Sequence, residues 1–119
     1  MQDSTLDKFG EDIIHTVRDS SIERVTDCAN GKYKTDEAKR LQEFYASLSE
    51  NQKSHFDFLI AFAVDSALFR ILRMAEQEVI GISYQGVEDI SEISDGLTGE
   101  IYGNNGWIKK YSKFINSME

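Results

Sequence analysis

Proline is absent from the 119-residue chain, so no residue in it is barred from donating a helical hydrogen bond. Glycine and polar caps must therefore end its helices. Cysteine occurs once, as Cys28, which rules out an internal disulfide and suits a reducing compartment. With only two histidines beside it, a zinc site would need several carboxylates. The paired Glu-x-x-His motifs of a di-iron bundle are missing too. The start from Met1 to Asp7 is polar and acidic, without the basic end and apolar run of a secretory leader. The longest apolar stretch, 56–74, is interrupted by Asp57, Asp65, Arg70 and Arg73, so it does not read as a membrane span. The expectation is a cytoplasmic protein with one domain over residues 1–119. At this length a chain buries roughly two-thirds of its unfolded surface and folds without staples.

Basic residues are also in short supply. Thirteen Lys and Arg face 21 Asp and Glu, for a net charge of −8. The shortage is local: from Arg73 to Lys109 the chain runs 35 residues without a basic side chain. That stretch holds seven acids, Glu76, Glu78, Glu88, Asp89, Glu92, Asp95 and Glu100. The rest of the chain is close to neutral. Such a charge repels phosphate backbones and anionic membranes, so no direct binding to nucleic acid or a membrane is expected, and it attracts a basic protein. The seven acids, with Tyr84 as an aromatic anchor beside them, are the predicted partner-binding residues. Tyr102 and Trp107 either join that surface or pack the last helices together.

What is plentiful is helical periodicity. Leu6, Ile13, Ile14, Val17, Ser21, Val25 and Cys28 recur at helical spacing, and Asn30-Gly31 reads as a C-terminal cap. Gly10 and Asp19-Ser20-Ser21 are points where this first block could kink. Thr35 reads as the N-cap of a second helix, with Asp36 and Glu37 in its first turn and Leu41, Phe44, Tyr45 and Leu48 on its apolar face. Ser49 and Gln52 fit a capping box at the head of a third helix, about 52–79. In it Phe56, Leu59, Ile60, Ala63, Val64, Ala67, Leu68, Ile71, Leu72 and Ala75 keep helical step. Phe58, Phe62 and Phe69 widen the stripe, so this helix is expected to be buried on most sides. Residues 79–84 alternate and read as briefly extended; Val87, Ile90, Ile93 and Leu97 resume helical spacing. After a Gly103-to-Gly106 turn, Trp107, Ile108, Tyr111, Phe114 and Ile115 form a closing helix. The expected fold is all-α: an irregular bundle of about five helices around the long central one.

Catalytic chemistry is not indicated. No glycine-rich phosphate loop follows a strand, so no nucleotide cofactor is expected. Asp12, His15 and Asp19 share a helix face but make a poor metal set, so no metal is expected. Cys28 lies on an apolar stripe, as a core residue does. His55 and Asp57 point to different faces of their helix. The chain reads as a binding protein and not an enzyme.

Two segments carry a family likeness. Ile93-Ser94-Asp95-Gly96-Leu97-Thr98-Gly99-Glu100, followed by Gly106-Trp107-Ile108-Lys109-Lys110-Tyr111, resembles the C-terminal part of small acidic helical immunity proteins. These accompany bacterial polymorphic toxins, including those of contact-dependent growth inhibition systems. The run Asp65 to Arg73 resembles the same group, and the likeness covers about residues 56–115. It implies a cytoplasmic protein that binds and neutralises a cognate toxin domain, typically a nuclease with a basic cleft. It carries over no residue map, so the binding positions rest on charge alone. The alternative is an antitoxin-like regulator or adaptor that binds another basic cytosolic protein.

Overall fold

The computed structural model describes residues 4–114. Helix α1, Ser4–Ile13, passes through a π-helical segment, Ile14–Asp19, into α2, Ser20–Ala29. The backbone stays right-handed helical at both junctions, so these three pieces form one rod. Helix α3 is Asp36–Ala46, α4 is Glu50–Glu76 and α5 is Trp107–Tyr111. Short 3-10 turns at Ile90–Ile93 and Leu97–Glu100 lie between the last two. Among the described residues there is no β-strand, only an isolated bridge between Tyr84 and Val87. The described residues are therefore all-α, with four helical rods.

The caps form where the side chains dictate. Asn30 ends α2, and Gly31 takes a φ of +83°, the left-handed position where glycine carries no Cβ penalty. The Thr35 hydroxyl accepts from the Ala38 N–H. At the head of α4 the Ser49 hydroxyl accepts from the Gln52 N–H at 3.2 Å while the Gln52 amide accepts from the Ser49 N–H at 2.9 Å. That is a complete capping box.

The main core lies toward the C-terminal half of α4. Leu6, Phe9 and Ile14 from the first rod meet Leu68, Leu72 and Ala75 from α4. Ile90, Leu97 and Ile101 close it from the connecting segment, and Trp107 and Ile108 fill its centre. Gly10 lets the Trp107 indole lie against the α1 backbone, because a Cβ at that point would overlap the ring. Phe9 meets Trp107 edge-on at 5.8 Å. Trp107 is thus a core residue, while Tyr102 stays exposed over Phe69. At the other end, Ala38 and Ala61 are buried, and Tyr45 packs edge-on to Phe56 at 5.4 Å.

Three expectations need correction. Helix α4 is not buried on most sides: its buried face is Ala61, Asp65, Leu68, Leu72 and Ala75, a single narrow row. Ala63, Ala67, Leu59 and Ile71 are exposed. Apolar residues surround this helix, but the first rod and the 3-10 turns cover only part of it. The 87–97 segment is not a helix, because isolated 3-10 turns satisfy the same spacing over one turn at a time. The closing helix stops at Tyr111; Phe114 lies beyond it, and Ile115 falls outside the described residues.

Candidate functional site

Helix α4 ends in a Schellman motif. The Val79 N–H reaches the Met74 carbonyl at 2.9 Å, and the Glu78 N–H reaches the Ala75 carbonyl at 3.1 Å. This geometry demands a left-handed residue at the position after the cap, usually glycine. Here it is Glu78, with a φ of +62°. A non-glycine residue there costs about 1–2 kcal/mol of backbone free energy. Its carboxylate also sits at the negative end of the helix dipole, where acids are disfavoured. Glu78 is therefore unfavourable on two counts.

It borders a concavity of about 370 Å³. Glu76, Glu78, Glu92 and Asp95 line it, with Ser91, Ser94, Gly96 and Leu97. No lysine or arginine does. The Glu76 carboxylate is held in place by the Thr98 N–H and hydroxyl, both at 2.9 Å. Those two hydrogen bonds, with help from Arg73, keep its pKa below the usual carboxylate range. Glu78, Glu92 and Asp95 are exposed, and their carboxylates have no hydrogen bond or ion pair among the described residues. The helix dipole of α4 and these three unneutralised carboxylates give one mouth a concentrated negative potential.

The remaining predicted positions lie outside the concavity. Glu88 is exposed but lies outside the concavity. Asp89 caps the first 3-10 turn, accepting from the Ser91 N–H at 3.1 Å and hydroxyl at 2.9 Å. Glu100 accepts from the Ser94 hydroxyl at 2.7 Å. The Tyr84 hydroxyl donates to Asp12, and its ring packs edge-on to Phe9 at 5.3 Å. That hydrogen bond, then burial, push the Tyr84 pKa up to about 12. So half of the eight predicted residues converge on the concavity, and the other half lie outside it.

The Asp12, His15 and Asp19 face is likewise dispersed. Asp12 is engaged by Tyr84, His15 meets the Tyr111 carbonyl at 3.0 Å, and Asp19 accepts from the Ser112 hydroxyl and the Lys113 N–H. The π-helical segment breaks the four-residue register that would align them. Among the described residues no group of three His, Cys, Asp or Glu is placed to hold a metal. No helix there is long and apolar enough to cross a membrane.

The sequence reading missed a buried ionic knot. Arg18 is fully buried and donates to Asp65 through Nε at 2.6 Å and Nη2 at 3.3 Å. Its Nη1 donates to the Ser112 hydroxyl at 2.8 Å and the Phe114 carbonyl at 3.2 Å. Asp19 completes the set at 3.5 Å from Nη1. This knot ties the π-helical segment and α4 to the chain after α5, and its polar groups are satisfied, so it leaves no chemistry free. The visible signal is Asp65 itself, the single charged residue in the otherwise uncharged run 58–69 of α4.

No family model, curated protein or solved structure matches the chain.

Proposed function

We propose that this chain is an immunity protein that neutralises a cognate bacterial toxin domain, a nuclease with a basic cleft. It takes cationic side chains of that domain into the acidic concavity at the end of α4. The observation that carries the reading is Glu78. Strained or electrostatically unfavourable residues persist where function requires them, and Glu78 is both. Its concavity gathers Glu92 and Asp95, also unneutralised, from a separate loop. The overall charge of −8 steers a basic partner toward the chain and speeds association. The resemblance of residues 93–100 and 106–111 to small acidic immunity proteins points the same way.

The test is affinity for the protein domain encoded immediately upstream of this gene, measured by calorimetry, together with protection of cells that express it. Reversing Glu78, Glu92 and Asp95 to Lys should weaken the complex by a factor of at least 100, since like charges across an interface cost several kcal/mol. Raised salt should narrow the difference, because exposed charges are screened over about 8–10 Å. Reversing Glu11, Glu37 and Glu43 changes the net charge equally and should cost far less. Equal losses from the two triples would remove the concavity as the binding site.

A further inference from the structure

From the exposed face of α4 we infer that the chain pairs with a second copy of itself, α4 against α4 in antiparallel orientation. This rests on observations separate from the acidic concavity. Phe58 is 41% exposed, Leu59 58%, Phe62 50%, Ile71 48% and Met74 40%. Between Asp57 and Arg70 the helix has a single charged side chain, Asp65, and that one is buried against Arg18. Twelve consecutive residues thus offer no exposed charge. A helix apolar on all sides belongs in an interior, yet only a narrow row of α4 is covered.

The free face has a shape that suits its own image. Leu59, Ala63, Ala67 and Ile71 lie four residues apart and form one ridge row, which reads large, small, small, large. Reversed, the row reads the same. An antiparallel copy placed about a two-fold axis near residue 65 sets Leu59 beside Ile71 of the second copy and Ala63 beside its Ala67. The two alanines leave room for close approach where such rows interlock, at a crossing angle near −50°. A two-fold interface must be self-complementary in this manner. The same operation sets Arg70 of one copy opposite Ile60 of the other, so the two Arg70 side chains do not meet; a parallel pairing would oppose them.

The size fits an interface at the low end of the range, which buries about 600 Å² per partner, roughly 65% of it apolar. The exposed parts of Leu59, Ile71, Met74 and the two alanines, which share the ridge side of the helix, supply on the order of 350 Å².

The full chain in sedimentation equilibrium should show twice its 13.6 kDa mass at micromolar concentration. Ala67→Arg should return it to a single-chain mass while keeping its helical circular dichroism, as the position is exposed in the single chain. Should that variant fail to fold, cross-linking decides. With Cys28 replaced by Ser, a mixture of Ala63→Cys and Ala67→Cys chains should form the mixed disulfide faster than either homodimer. A single-chain mass at every concentration would overturn the inference and leave this face to a different protein. Faster homodimer cross-linking would overturn the antiparallel geometry, and a dimer that survives Ala67→Arg would overturn the interface.

Discussion

Asp65→Ala should be the most damaging small substitution in the chain. Asp65 is buried and takes two hydrogen bonds from Arg18, which is itself fully enclosed. Without it the guanidinium keeps the Ser112 hydroxyl, the Phe114 carbonyl and a long contact to Asp19 at 3.5 Å. Removing one partner of a buried pair costs about 3–5 kcal/mol, because the other charge stays desolvated. Against a total stability of about 5–15 kcal/mol, that is a fifth or more. At about 4 °C per kcal/mol for a domain of this size, the Tm should fall by about 12–20 °C. Replacing both ends, Arg18→Met with Asp65→Leu, should cost much less, since apolar replacements of a buried pair are often neutral or better. Chemical denaturation monitored by circular dichroism measures both. A loss below about 1 kcal/mol for Asp65→Ala, or a double variant as damaged as the single one, would refute the reasoning.

Gly10→Ala should cost about 1–3 kcal/mol by overpacking, because the new methyl overlaps the Trp107 indole; an unchanged denaturation midpoint would contradict this. Tyr84 should be a late component of the phenolate absorbance titration of the five tyrosines. The fold favours its protonated form, so this contribution is complete below the ordinary value of 10.0 and lost as pH rises through about 12. Tyr84→Phe should remove that component, and its persistence would refute the hydrogen bond to Asp12. Glu76 has the opposite sign: its carboxylate form is favoured, so the contribution is present above the ordinary value of 4.5 and lost as pH falls through its lowered folded value. The stability difference between wild type and Glu76→Gln should therefore fade in acid, and a pH-independent difference would argue against the Thr98 contacts.

The parts of the fold legible in the sequence are those set by local chemistry. Thr35, Ser49 with Gln52, and Asn30-Gly31 cap as their side chains dictate, because capping needs only near neighbours. The end of α4 was misjudged by three residues, since the residue in the glycine position is Glu78. The buried face of α4 was illegible for a different reason. Apolar residues lie all round that helix, and which ones are covered depends on the placement of distant segments. The partner of Asp65, Arg18, is 47 positions away, beyond any periodic pattern. At the site, charge counting found the acidic stretch. It could not separate acids spent on caps and ties, such as Asp89 and Glu100, from Glu78, Glu92 and Asp95, which are not.

The central claim is that Glu78 is kept for binding at the expense of stability, and Glu78→Gly tests it most directly. The left-handed position then gains the residue it prefers and the helix end loses an unfavourable charge. Stability should rise by about 1 kcal/mol, seen as a Tm increase of about 4 °C. Affinity for the protein domain encoded immediately upstream, the proposed partner, should fall at least tenfold in the same preparation. A variant that is more stable and binds as tightly as wild type would contradict the account.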